Sequence, residues 1–142
     1  MPINQYFIED LAVGQTEKLS RTVTEALINA FAEVSGDNNP VHLDAAYAAT
    51  TQFGERIAHG ALASSFISAV LGTRLPGIGA IYVSQTTKYR APVRIGDTVE
   101  TIVTVKEIDL ARKRAVFTTD CFVGETKVVT GEATLMVASR AA

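Results

Sequence analysis

GALASSFISAVLGTRL, residues Gly60 to Leu75, is the stretch on which the fold turns. It carries no charge before Arg74, and its polar members up to Thr73 are all small. A helix apolar on nearly every side is a buried helix. Alanine, serine and glycine let a sheet come close to it, while Leu62, Phe66, Ile67, Val70 and Leu71 supply volume. Leu75-Pro76-Gly77 closes the segment, because the residue before a proline is pushed out of the α region. The run falls short of the ~20 apolar residues that span a bilayer, so an internal helix is expected and no membrane partner.

Downstream the period changes from helical to alternating. Ala80 to Tyr89, Thr98 to Ile108, Arg114 to Val123 and Thr126 to Ala138 are rich in β-branched and aromatic residues, with turn signals PVRIGD, DLARK and VGET between them. The last run is clearest, with Val129, Gly131, Ala133, Leu135 and Val137 set against Thr130, Glu132 and Thr134. With Gln15 to Val23 as an earlier strand, at least five are expected. One long buried helix and hairpin-linked strands predict an α+β protein in which an antiparallel sheet wraps around the helix. Such a sheet leaves an edge strand bare, and pairing edges between two copies would cover it, so a homodimer is expected.

Upstream, Ala26, Leu27, Ala30, Phe31 and Val34 follow the i, i+3, i+4 spacing of an amphipathic helix from Thr24 to Val34, with Thr24 as N-cap and Gly36 as stop. A second start falls at Asn39-Pro40, where Asn caps and Pro suits the first helical position. This puts His42 in a first turn, and the short helix is expected to continue through Ala45, Ala46, Tyr47 and Ala48.

The 142 residues, 47% apolar and 20% charged, fit one soluble domain over residues 1–142. Thirteen basic against fifteen acidic residues give a net charge of -2, which provides no field for a nucleic-acid backbone or an anionic membrane. The N-terminal MPINQYFIEDLAVGQ lacks a basic n-region and carries Glu9 and Asp10, unlike a secretory signal. Cys121, the single cysteine, sits in an alternating run and reads as a small strand residue. A cytoplasmic protein is expected.

Two runs could carry chemistry: Ser35-Gly36-Asp37-Asn38-Asn39-Pro40-Val41-His42, and Ala58-His59-Gly60-Ala61. Each places polar groups at a helix start, where backbone N–H groups lack internal partners and the dipole favours negative charge. Asp37 and His42 can grip one water between them, and histidine changes protonation state near neutral pH. Gly60, without a side chain, lets a substrate oxygen approach its amide. Water addition to a conjugated thioester has these needs: a base, an acid, and a donor for an enolate-like oxygen. On the residues alone, Asp37-Asn38-Asn39 also reads as a turn and cap, and His42 as a surface or capping residue. With no third histidine and no ligand-type spacing of carboxylates, His42 and His59 are not read as a metal site.

The run FAEVSGDNNPVHLDAAYAATTQFGERIAHGALASSFISAVLGTRLPG, followed by YRAPVRIGDTV, resembles the MaoC-like (R)-specific enoyl-CoA hydratases, whose signature joins Asp-x-Asn-Pro-x-His to a downstream His-Gly. The resemblance covers most of the chain, from about Thr16 to the last strand. It implies a hot-dog fold, a dimer, and hydration of trans-2-enoyl-CoA to (R)-3-hydroxyacyl-CoA without a cofactor. It also implies that Asp37 and His42 are catalytic and that the Gly60 amide faces the thioester oxygen. Ser68 then matches a helix serine that helps to position these groups in polyester-supplying members, Leu71 an acyl-pocket position, and His59 a place beside the substrate. A single hot-dog unit suggests a short to medium acyl chain. Lys88, Arg90 and Arg94 flank the Pro92 turn and are candidates for CoA phosphates, or solvated strand-end charges. Alternatives are an acyl thioesterase on the same fold, an acyl-carrier-protein dehydratase, and a non-enzymatic acyl-thioester-binding or structural subunit of a heteromeric dehydratase.

Overall fold

The computed structural model describes residues 2–141. A short 3-10 turn at Ile8–Asp10 precedes strand β1 (Thr16–Thr22) and four helices, α1 (Glu25–Ser35), α2 (Pro40–Leu43), α3 (Ala45–Ala48) and α4 (Gly60–Thr73). Strands β2 (Ile81–Tyr89), β3 (Thr98–Asp109), β4 (Arg114–Val123) and β5 (Thr126–Met136) follow. The five strands form one antiparallel sheet in the order β1-β3-β4-β5-β2. This is the α+β arrangement expected of a hot-dog fold, with α4 as the long central helix.

Alternation decides which face of the sheet meets the helix. Val99, Thr101, Val103 and Val105 of β3, and Ala115, Phe117, Thr119 and Cys121 of β4, are buried. They share one core with Leu62, Ala63, Phe66, Ile67, Val70 and Leu71 of α4. Burying a side chain the size of Ile67 or Leu71 contributes roughly 1.5–3 kcal/mol. Small residues set the spacing, since the Cys121 thiol reaches the Ala63 carbonyl at 3.9 Å. Burial pushes the pKa of that thiol up, as suits a packing residue rather than a nucleophile. Two serines of α4 turn their hydroxyls onto carbonyls one turn back, Ser64 on Ala61 and Ser65 on Leu62. Where β5 meets β2, Gly131 has no room for a β-carbon, which would run into the Thr86 carbonyl.

The helical half departs from expectation at one place. The stretch after Asn39 is two four-residue helices rather than one, because Asp44 leaves the helical region (φ -115, ψ 105) and its carboxylate caps α3 through the Tyr47 amide. An aspartate that can bond its own backbone a few residues on competes with helix continuation. Thr24 caps α1 through the Leu27 amide, and Gly36 ends it at φ 80, a left-handed conformation that glycine adopts freely. Among the described residues no helix is long and apolar enough to cross a membrane.

Candidate active site

A relay of local bonds shapes the turn between α1 and α2. The Ser35 hydroxyl donates to the Phe31 carbonyl at 2.6 Å and accepts from the Asp37 amide at 3.1 Å. Oδ1 of Asp37 accepts from the Asn39 amide at 3.2 Å, and Oδ1 of Asn39 caps α2 by accepting from Val41 at 3.0 Å. The turn-and-cap reading of these residues is therefore realised. It leaves the second carboxylate oxygen free: Oδ2 of Asp37 stands 3.9 Å from Nε2 of His42.

The His42 ring is held by its other nitrogen, 2.8 Å from the Ile57 carbonyl. A carbonyl only accepts, so Nδ1 carries a hydrogen and Nε2 of the neutral ring is a bare lone pair. A gap of 3.9 Å is too long for a direct bond, whereas a water ~2.8 Å from each atom would bridge it. Arg56 fixes the turn from behind. Its Nε–H donates to the His42 carbonyl at 2.6 Å, and its terminal nitrogens reach Glu25 at 2.8 Å and Asn29 at 3.2 Å on α1.

His59 is 2% exposed and closes the cluster. Its Nε2 lies 2.8 Å from the Asp37 carbonyl, its ring stacks on His42 at 3.9 Å between centroids and 25° between planes, and Phe31 packs at 4.9 Å on it. Polar atoms of Asp37, His42 and His59 all lie within 4.8 Å of one another, a grouping that metal sites also show. Here each imidazole has one nitrogen on a backbone carbonyl, Nδ1 of His42 on Ile57 and Nε2 of His59 on Asp37, which leaves a single free nitrogen on each ring.

Gly60 begins α4 directly after His59, which contributes no side-chain cap. Neither the Gly60 nor the Ala61 amide meets an acceptor among the described residues, so two donors stand free at the positive end of a fourteen-residue helix. His59, Gly60, Ala63, Phe53, Tyr89 and Arg90 are among the residues that wall a cavity of about 330 Å³ at this helix start. Asp37 and His42 are not among its lining residues; His59, which contacts both, is. The cavity is mostly apolar, as an acyl-thioester site needs, with His59 and Arg90 among the few polar side chains of its wall.

The structure thus brings Asp37, His42, His59 and Gly60 together, and it leaves Ser68 and Leu71 further along α4. At ~1.5 Å rise per residue they lie roughly 12 and 16 Å beyond Gly60. Ser68 is exposed and its hydroxyl bonds the Tyr82 phenol of β2, whose pKa partial burial raises and this bond lowers. Leu71, 1% exposed, is packed in the core. Of the three basic candidates, Arg94 is committed to the Phe53 carbonyl and to Glu55. Lys88 lies along a separate sheet groove beside Asp120 and Glu132, and Arg90 alone borders the cavity. Sequence reasoning missed Arg56 and Tyr89. Arg56 acts on partners 14 to 31 residues away, for which no local signal exists. Tyr89 stood in view, as the first residue of YRAPVRIGD.

The profile of the MaoC like domain matches residues 11–130. The (R)-specific enoyl-CoA hydratase of Rhodospirillum rubrum is 52% identical over 135 residues, 95% of this chain and 94% of that protein. The 3-hydroxybutyryl-CoA dehydratase of Methylorubrum extorquens is 52% identical over 131 residues, 92% of this chain and 83% of that one. The structure of R-hydratase PhaJ1 from Pseudomonas aeruginosa, in the unliganded form, superposes with a TM-score of 0.92 at 44% identity, covering 97% of this chain and 89% of that one. With a matching sequence profile and a matching fold, the chain belongs to the MaoC-like domain family.

Proposed function

We propose that this chain, as a homodimer with one hydratase site per copy, adds water across the double bond of a trans-2-enoyl-CoA to give the (R)-3-hydroxyacyl-CoA. The observation that carries the reading is the 3.9 Å gap between Oδ2 of Asp37 and the bare Nε2 of His42, beside the free amides that open α4. A water in the gap donates one hydrogen to each group. Its oxygen bonds to carbon three while Nε2 of His42 takes a proton, and the electron pair of the double bond moves onto the thioester oxygen. The Gly60 amide donates to that oxygen as its charge develops. Return of the proton to carbon two from the same side gives net syn addition, with one water consumed and no leaving group. Asp37 orients the water and balances the cationic imidazole.

The R. rubrum and M. extorquens relatives, named for enoyl-CoA and 3-hydroxybutyryl-CoA chemistry, support a CoA thioester, and the second supports a short acyl chain. Arg90, at the cavity wall, is the cation best placed for a CoA phosphate. We place the reaction in the cytoplasm, where a lone unpaired cysteine is ordinary. The test is the purified chain with crotonyl-CoA and a ladder of longer enoyl thioesters on CoA and on acyl-carrier protein. Enoyl absorbance should fall without release of free thiol, yielding the (R)-alcohol on CoA. Thiol release would indicate a thioesterase; inertness without a partner protein would indicate a binding or structural subunit.

A further inference from the structure

His59 is buried and touches each part of the site by a different means. It bonds the backbone of Asp37 rather than its carboxylate, stacks on the His42 ring, and is followed directly by the Gly60 amide. We propose that His59 is a positioning residue: its Nε2–H, locked on the Asp37 carbonyl, fixes the dyad and the α4 amides in one frame. The role rests on the hydration reading and adds to it a residue that need not touch the reacting atoms.

The bonding pattern dictates the proton positions. Both partner atoms are carbonyl oxygens, so the hydrogen of His59 is on Nε2 while that of His42 is on Nδ1. Two stacked imidazoles therefore hold opposite tautomers, each set by a carbonyl of another segment. Ile57, which sets His42, lies two residues before His59, and its amide returns to the Val41 carbonyl beside His42. Ala58 is held between them by its amide on the Val93 carbonyl. The segment 57–60 thus sets the His42 tautomer, the Asp37 loop and the oxyanion donor together. Nδ1 of His59 is buried with no hydrogen-bond partner among the described residues, so the ring acts through its other nitrogen and its face.

The experiment compares His59→Phe, which keeps a ring against His42 and Phe31 but loses the donor, with His59→Gln, whose side-chain N–H reaches to about the same place. In crotonyl-CoA hydration, His59→Phe should lose roughly tenfold to a hundredfold in kcat, the cost of a small misplacement of reacting groups, with KM within about twofold. His59→Gln should recover most of that loss. An unchanged kcat in His59→Phe, a loss confined to KM, or equal losses in both variants would overturn the role. Should His59→Phe fail to fold, nitrogen-15 spectra of the parent's imidazoles decide: His59 must be Nε2-protonated and His42 Nδ1-protonated, and any other pair sinks the proposal. An inert parent overturns the hydration reading and this role with it, whereas an active parent with an unaffected His59→Phe overturns this role alone.

Discussion

The ring of Tyr89 lies over the backbone of Gly60, so close that a β-carbon on Gly60 would stand 2.9 Å from Cδ1 and 3.0 Å from Cε1. The Tyr89 phenol is in turn 3.1 Å from the Ser64 hydroxyl one turn along α4. An aromatic side chain that is 56% exposed in the single chain is thereby pinned across the helix start whose amides are free. Glycine at this position serves access to those amides, not backbone conformation.

Gly60→Ala separates the two roles. Alanine raises intrinsic helix propensity by up to about 1 kcal/mol, and the clash is with a partly exposed ring that can swing away. Melting temperature should therefore hold or rise slightly. Activity should fall, because the displaced ring and the new methyl crowd the thioester oxygen's approach to the amide. A loss of about tenfold to a hundredfold in kcat/KM is expected for crotonyl-CoA, somewhat less than removal of an oxyanion donor costs. Parental activity in a folded variant would remove the Gly60 amide from the mechanism.

Asp37→Asn and His42→Gln keep shape and lose, respectively, the charge and the proton acceptor. Each should lower kcat by about a hundredfold or more with KM little changed, since the interaction lost belongs to the transition state. Because both groups hold one water, the double variant should be little worse than the worse single one. Multiplying losses would mean that they act on separate events.

How much of this could be read from the sequence follows from range. The caps at Thr24 and Asn39, the buried α4 and the alternating strands depend on neighbours a few residues apart, and their residues announced them. The Asp37–His42 pair was legible for the same reason, since five residues and one proline turn bring it together. The break at Asp44 was not, because aspartate is tolerated in a helix until its carboxylate finds a closer amide. Arg56 and the Nε2 bond of His59 were hidden by separations of 14 to 31 and 22 residues, which only the folded chain closes.

The C-terminal segment offers a pH test away from the site. The Arg140 guanidinium bonds both carboxylate oxygens of Asp10 at 2.7 and 2.9 Å and holds its pKa below the ordinary 3.8. The Arg140 amide, with help from Ser139, holds Glu9 below 4.5. A lowered folded pKa contributes stability that is present above the ordinary value and lost as pH falls through the lowered one. Arg140→Ala should therefore melt slightly below the parent at neutral pH, with the gap narrowing once pH drops below the ordinary Asp value. The pair lies at the surface, so salt should narrow it as well. A gap independent of pH would assign the effect to Arg140 stacking on Phe7, where it lies 4.6 Å from the ring centroid.

The two sheet edges are not alike, and the difference favours one of them for pairing with a second copy. Strand β1 carries Glu17, Lys18 and Arg21 along its length, charges that discourage a neighbour. Strand β2 reads Ile81-Tyr82-Val83-Ser84-Gln85-Thr86-Thr87 before its first charge at Lys88, with Ile81, Tyr82, Val83 and Tyr89 between 41% and 58% exposed. The α4 hydroxyls of Ser64 and Ser68 meet Tyr89 and Tyr82 of this strand, so helix and edge present one continuous surface. A second copy pairing β2 with β2 would extend the sheet, bury these side chains and close over the end of the strand where Tyr89 covers Gly60. Val83→Lys places a charge in the middle of that edge. By light scattering on a sizing column the parent should have twice the mass of one chain, and the variant the mass of one, with hydratase activity reduced alongside. A variant that stays dimeric, or a parent already monomeric at micromolar concentration, would move the interface elsewhere or abolish it.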